Sequence, residues 1–443
     1  MRSTLFHIPE SVGGIPIFGV GLLLAAWVLF CLGMVVWLVW RHGLAGGALS
    51  NLPIYVLVAA ALALVLPALV ESGKGLPIRS YGVMVLVGVV AGVGLAVRRA
   101  RQVGLEEDFI FSLAFWMFAA GIVGARLFHV IEYWGDSYRQ LQPDGSFDLT
   151  GTLLRVINVP SGGLVVYGSL IGGAIAMVWH VRRQGLPFLP IADLVAPCLV
   201  LGLAFGRIGC LLNGCCFGGP CDYAWAISFP QESLPYLRQV DRGLLYGIQV
   251  GAATTGDIGD GKLAGAVPVI QWVRSDVARS GVKVGDRIVR FDELVDPTVA
   301  QVWQRLQAAG PAGVITLITV GDPREKVLSW SPPPRSLPVH PTQIYSSINA
   351  LLLCLLLVAY YPLRRRDGEV FALLLTLYPV TRFVLEIIRT DEMAVFGTQM
   401  SISQNVSIIF LLGVLGLWWY VLSRRKGNLW KAPVARPRSA ARS

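Results

Sequence analysis

Apolar stretches long enough to cross a membrane recur along this chain, and they limit its fold more than any other feature. A helix needs roughly 20 apolar residues to cross about 30 Å of hydrocarbon. Inside that layer every backbone polar group must find a partner within the protein, which leaves helices or a closed barrel. Nine stretches qualify: Ile15 to Trp40, Pro53 to Val70, Tyr81 to Val97, Phe109 to about Arg126, Gly163 to Val181, Ile191 to Leu212, Ile344 to Tyr361, Glu369 to Ile388 and Ser403 to Leu422. The first is read as a retained span rather than a signal peptide, because Arg2 alone is a weak charged leader and the run is too long. With 54% hydrophobic and 14% charged residues, the expected fold class is a polytopic α-helical membrane protein of about nine spans.

The net charge of +10 points to membrane orientation rather than nucleic acid, since no basic face with interleaved aromatics is found. Arg41, Arg98 with Arg99 and Arg101, Arg182 with Arg183, Arg364 to Arg366, and Arg424 with Arg425 and Lys426 follow each odd-numbered span. Lys74 and Arg79 are minority exceptions. Basic loops favour the cytoplasm, so the N-terminus is expected outside it and the basic tail inside.

The stretch Gly206 to Cys221, GRIGCLLNGCCFGGPC, puts an arginine and four cysteines at the end of an apolar run. An ionisable residue in a span is costly and normally faces a cavity or a partner. A snorkelling interfacial arginine is the alternative. Gly206, Gly209, Gly214, Gly218 and Gly219, with Asn213, let backbone approach a ligand and turn sharply. Arg207 therefore reads as an anion site, with a lipid headgroup phosphate as the natural occupant for its bidentate fork.

About 130 residues separate Leu212 from Ile344, too many for a loop, so a folded domain is expected there. Val269 to Val273 reads as a strand, SDVARSGVKVGDRIVRFDE as helix, turn and strand, Val299 to Ala309 as a helix and Gly313 to Val320 as a strand. This resembles a PDZ domain of the bacterial kind over most of Leu244 to Leu328. The resemblance rests on Tyr246, Gly247 and Ile248, on Ser275 to Ser280 before Gly281, on Gly285 to Ile288, and on the Val299 helix. A small β-rich spacer without ligand remains open. Pro332 to Pro334 then forms a stiff connector.

In the eighth span, Tyr378, Arg382, Glu386 and Arg389 fall at i, i+4, i+8 and i+11 and so share one helical stripe. Such a stripe lines a cavity, expected to be the one Arg207 faces, or serves only packing through an Arg382 to Glu386 pair. Motifs now accumulate: PIRSYG at Pro77 to Gly82, GARL at Gly124 to Leu127, GGLVVYGSLIGG at Gly162 to Gly173, Ala192 and Asp193 with Pro197, GRIG at Gly206 to Gly209, HPTQIY at His340 to Tyr345, and the Tyr378 to Asp391 stripe. Together they resemble the prolipoprotein diacylglyceryl transferases over Leu76 to Leu422. The implied organisation is two additional N-terminal helices (1–75), a transferase membrane core in two parts (76–230 and 336–423), the extracytoplasmic insert (231–335) and a basic cytoplasmic tail (424–443).

The resemblance implies a bacterial inner-membrane enzyme that moves the diacylglyceryl group of phosphatidylglycerol to a lipobox cysteine of a prolipoprotein and releases glycerol 1-phosphate. It implies catalytic roles for Arg207, Arg382, Tyr378, Tyr167 and Glu386. It implies lipid contacts for Arg207, Gly218, Tyr81, Arg126, Arg389 and Asn213. Tyr378, Tyr167 and Glu386 remain unranked as acceptors of the thiol proton. No metal or nucleotide cofactor is implied. Two departures stand out: Tyr167 replaces the family's frequent histidine, and Cys210 replaces the asparagine after GRIG, with Asn213-Gly214-Cys215 where the family often has Asn-Gly-Glu.

Cys210, Cys215, Cys216 and Cys221 match no standard zinc spacing. Burial as small residues is favoured, ahead of a disulfide and then a metal. A membrane protease is disfavoured by the lack of HExxH and of a GxSG-like turn. A non-catalytic adaptor that holds peptides on the insert is the competing function.

Overall fold

The computed structural model describes residues 4–42, 52–71, 73–140, 147–158, 162–231, 233–241, 243–252, 267–278, 280–308, 313–320, 322–330, 333–389, 394–395, 400–427 and 429–430. In chain order the elements are β1 (Thr4–Ile8), β2 (Ser11–Val12), β3 (Ile15–Pro16), α1 (Leu22–His42), α2 (Leu52–Ala60), β4 (Leu76–Arg79), α3 (Ser80–Val103), α4 (Glu107–Glu132), α5 (Leu149–Ile157), α6 (Val166–Arg183), α7 (Phe188–Asn213), α8 (Leu234–Asp241), β5 (Ile248–Ala252), β6 (Pro268–Val273), α9 (Ser275–Ala278), β7 (Ile288–Phe291), β8 (Leu294–Val295), α10 (Val299–Ala308), β9 (Gly313–Thr319), β10 (Asp322–Trp330), α11 (Thr342–Tyr360), α12 (Glu369–Ile388), β11 (Ala394–Val395), β12 (Met400–Ser401) and α13 (Ile402–Ser423).

Among the described residues six helices are long and apolar enough to cross a membrane: α3, α4, α7, α11 with its following turn, α12 and α13. This is fewer than the nine expected. The first expected span starts at Leu22 rather than Ile15, because Gly13 and Gly14 turn the chain at positive φ and Ile15–Pro16 pairs back on Ser11–Val12. Its described apolar helix is Leu22–Trp37. The second is broken into α2, a wide turn at Ala61–Val65 and a tight one from Pro67, where proline supplies no N–H. The fifth, α6, has 18 residues and ends in His180, Arg182 and Arg183.

The chain divides into two compact units. The larger holds Arg2–Gly209, Ser347–Thr381 and Ser407–Ser443. Within it α7 is the central helix, with 67% of its apolar window buried against 17–22% in the other five spans. Its neighbours approach through glycine: a Cβ on Gly88 would meet the Gly202 carbonyl oxygen at 3.0 Å. Between α4 and α6 the contact is backbone on backbone, since a Cβ on Gly124 would fall on the Gly168 carbonyl oxygen and one on Gly168 on that of Gly124. Small residues at such crossings replace a hydrophobic driving force that lipid does not supply.

At one end of α7, fully buried Asp193 accepts the backbone N–H groups of Gly368 (2.7 Å) and Phe371 (2.8 Å) at the start of α12, with Arg364 Nε at 3.7 Å. A helix start leaves such N–H groups without partners, and a carboxylate there also meets the positive end of the helix dipole. Asp193→Ala is expected to destabilise the protein by about 3 kcal/mol, because it leaves buried donors and Arg364 uncompensated. Thermal unfolding in detergent checks this: Asp193→Asn, which keeps an acceptor oxygen, should fall by much less.

The smaller unit holds Cys210–Ser346 and Arg382–Val406. Its strands form a four-stranded antiparallel sheet in the order β10, β9, β7, β8 and two-stranded β5–β6 and β11–β12 ladders, with Val269 of β6 paired to Arg287 beside β7. Ile248, Ile270, Ile288, Phe291, Leu306 and Leu317 are buried in one core between these strands and α10. Buried Lys326 reaches Asp286 Oδ2 at 3.2 Å and Thr319 Oγ1 at 2.8 Å, tying the Gly285–Asp286 turn to the β9–β10 hairpin. The Trp303 indole of α10 donates to the Val250 carbonyl of β5 at 3.2 Å. The expected strand and helix positions in this region are met within a residue or two.

Before and after these elements the chain zips to itself. Ile227 and Val339 exchange both backbone hydrogen bonds at 3.1 Å, Ser336 N–H donates to Phe229 O at 2.8 Å, and Pro230 pairs with Arg335.

Candidate functional site

The eighth span's polar stripe comes together at the end of α12. One oxygen of Glu386, Oε2, takes Arg382 Nη1 in a short ion pair and Arg389 Nη1 at 3.3 Å. Arg382 also donates through Nη2 to Ser403 Oγ at 3.0 Å. Glu386 is 4% exposed. Ion pairs this buried need their remaining donors satisfied to be tolerated, so two guanidiniums held by one carboxylate are fixed in place. Tyr378, two turns earlier on α12, packs in the larger unit against the core of α7 and α11.

Backbone from the glycine-rich stretch crosses this helix end. Gly219 N–H donates to Ile388 O at 3.1 Å, Gly218 pairs with Arg389, and Gly218 N–H donates to His340 O at 3.0 Å. A Cβ on Gly218 would meet His340 Cβ at 2.7 Å and Thr342 Cγ2 at 2.9 Å, so only glycine threads between the two segments. The HPTQIY segment holds the same stretch: Thr342 Oγ1 donates to Cys216 O at 2.6 Å and Gln343 Nε2 to Cys215 O at 2.7 Å. Beside it Tyr345 OH accepts Trp225 Nε1 at 2.7 Å, and Tyr223 stacks on Trp225 with ring centres 5.0 Å apart.

The other expected residues lie elsewhere. Arg207 sits half-buried on α7 in the larger unit. Tyr81, at the start of α3, lies against Gly209, where a Cβ would meet its ring at 3.1 Å. Tyr167 is half-buried on α6 beside the Gly168 crossing. Asn213 is the last residue of α7.

Arg126 is 6% exposed on α4. All five of its N–H donors go to backbone carbonyls: Val156 (2.9 Å), Gly162 (2.5 Å), Gly163 (3.1 Å), Arg155 (2.7 Å) and Asn158 (2.8 Å). A guanidinium has five such donors, and here each meets one of these carbonyls.

Sequence reasoning missed Ser403, Trp225 and Tyr223 and the bonding of Thr342 and Gln343. The last two were visible as parts of HPTQIY, but nothing in their spacing told which backbone they would hold. The cysteines divide: Cys210, Cys215 and Cys216 bring their sulfurs within 4.8 Å of one another, Cys221 does not join them, and all are free thiols.

The six long apolar helices are those of a multi-pass membrane protein, and at the end of α12 a buried arginine–glutamate–arginine group lies beside a glycine-rich backbone clasp. Residues 67–420 match the family model of the prolipoprotein diacylglyceryl transferases. A phosphatidylglycerol–prolipoprotein diacylglyceryl transferase of Rhodopirellula baltica is 34% identical, the match covering 94% of this chain and 88% of that protein. The second enzyme of that name in Clostridium perfringens is 26% identical over 80% of this chain and 94% of its own length. The chain belongs to the prolipoprotein diacylglyceryl transferase family. These comparisons give the adaptor reading no support.

Proposed function

We propose that the chain transfers the diacylglyceryl group of phosphatidylglycerol to the lipobox cysteine of a prolipoprotein. The observation that carries this is the Glu386 carboxylate gripping Arg382 and Arg389 at a membrane helix end. In the reaction the thiolate sulfur forms a bond to the diacylglyceryl carbon, the carbon–oxygen bond to phosphate breaks, and glycerol 1-phosphate leaves with the electron pair. The leaving phosphate gains charge, and positioned guanidiniums stabilise it without reorganising. Arg207 and Arg382 take that role, with Arg389 in support. Tyr81, Asn213 and the Gly218 backbone hold the lipid. Glu386, Tyr378 and Tyr167 are the candidate acceptors for the thiol proton, and positive charge nearby raises the thiolate fraction. Arg126 gives further support to the bound lipid phosphate.

The same reading places the protein in the bacterial inner membrane with nine passes, the N-terminus outside the cytoplasm and the tail inside. Purified protein given phosphatidylglycerol and a lipobox peptide should yield the peptide heavier by one diacylglyceryl group. An unmodified peptide, with a known family member active alongside, would overturn the reading.

We propose further that residues 231–335 are an inserted PDZ-like domain that recruits substrate outside the cytoplasm. The single-core unit and the zipped stem support this, as does β5, whose edge away from β6 faces α10 and suits strand addition. Trp303 lies over that groove, so an entering peptide would displace its bond to Val250. Replacing 238–334 by a short flexible linker should leave transfer to a short lipobox peptide near wild type and weaken transfer to full-length prolipoprotein about tenfold or more, as loss of effective concentration requires. Equal losses on both substrates would mean that the domain braces the membrane core instead.

A further inference from the structure

Three thiols of this chain converge, and the proposed transfer, whose reacting thiol is the substrate's, uses none of them. Cys210 lies in the last turn of α7, and the chain leaves the helix through Gly214 at φ +76°. Cys215 N–H then donates back to Cys210 O at 3.1 Å, and Cys216 adopts φ +59°, a left-handed conformation that non-glycine residues rarely adopt. Thr342 and Gln343 clamp the carbonyls of Cys216 and Cys215 in that arrangement. The result is that all three sulfurs lie within 4.8 Å of one another.

We propose that Cys210, Cys215 and Cys216 form a binding site for a soft divalent metal ion, zinc first among them, with the fourth coordination position left to water. Sulfurs bound to zinc at about 2.3 Å in tetrahedral geometry stand about 3.8 Å apart, so a small contraction of the cluster suffices. A disulfide would use two sulfurs and strand the third, whereas a coordination sphere uses all three. Among the described residues no further cysteine, histidine or carboxylate joins the group. Next to it Gln343, 1% exposed, carries a side-chain oxygen with no hydrogen-bond partner among the described residues, although its amide nitrogen is anchored on Cys215. A buried acceptor left bare is costly, and a metal-bound water is a donor suited to it. On binding, three thiols lose their protons to solvent, three sulfur–metal bonds form and no atom changes oxidation state.

Full-length protein purified in detergent without chelator should hold about one zinc per chain by elemental mass spectrometry. Cys210→Ser, Cys215→Ser and Cys216→Ser should each lower that content at least tenfold, while Cys221→Ser keeps it. Because a serine variant can fail to fold, wild-type protein stripped by a chelator is also titrated with cobalt. It should show sulfur-to-cobalt charge-transfer absorption and the visible bands of tetrahedral cobalt. A disulfide between any two of the three in the native protein overturns the proposal, as does zinc that survives the triple substitution or stripped protein that gives no charge-transfer band. Metal content is read independently of transfer, so a negative result here leaves the proposed activity standing.

Discussion

Arg382→Ala is expected to lower diacylglyceryl transfer by about 10²–10³-fold, the usual effect of removing one preorganised donor from a developing anion. The membrane level of the variant should stay near that of the wild type, since Glu386 keeps Arg389 as a partner at 3.3 Å. Arg382→Lys should recover little, because an ammonium cannot reach Glu386, Ser403 and a phosphate together as a planar fork does. Arg207→Lys should behave in the same way. The measurement is transfer rate per folded molecule, with folding read by thermal stability in detergent. Activity that falls only in step with the amount of folded protein would reduce Arg382 to a packing residue.

The second large effect is expected on folding rather than on chemistry. Gly168→Leu places its first side-chain carbon on the Gly124 carbonyl oxygen and against Phe128, and Gly172→Leu does the same at the Ala120 carbonyl. Backbone cannot yield as a flexible side chain does, so the α4–α6 contact must open. The cost should be about 3 kcal/mol or more, at the upper end of overpacking effects. Even Gly124→Ala should be harmful. Gly94→Ala in α3 is the control, because nothing lies within 4 Å of its added carbon, and it should be neutral or slightly stabilising. The yield of monodisperse protein and its unfolding temperature distinguish the two.

The sequence disclosed what depends on periodicity and motif. The Tyr378, Arg382 and Glu386 spacing is a local property of one helix, and α12 runs Glu369–Ile388, as the apolar run indicates, with Arg389 just beyond its end. The strands and helix of the segment between α7 and α11 were legible because alternation and β-branching record local exposure. What stayed hidden was pairing between distant segments. Nothing in Gly218 foretells His340 and Ile388 as its backbone partners, and nothing in Arg126 foretells five carbonyls between Arg155 and Gly163. The ends of the first two spans were hidden for a different reason: hydropathy sums do not register that Gly13 and Gly14 turn the chain, or that a tight turn starts at Pro67. The cysteine spacing matches no standard zinc pattern, and the left-handed backbone at Cys216 has no signature in composition.

The zipped stem at Ile227–Pro230 and Arg335–Val339 bears on how such a chain acquires length. Its two segments run side by side, so whatever lies between them begins and ends at nearly the same point in space. The entropy lost in closing a loop grows only with the logarithm of its length, about 0.6 kcal/mol for each doubling. A segment that folds on its own core removes even that dependence, because its ends are already brought together. The stem is therefore a socket: cargo of very different sizes can be exchanged there during descent without resetting the register of the helices on either side. Variation in chain length among relatives should accordingly collect between Pro230 and Arg335, while the glycine and histidine segments just outside stay constant in length.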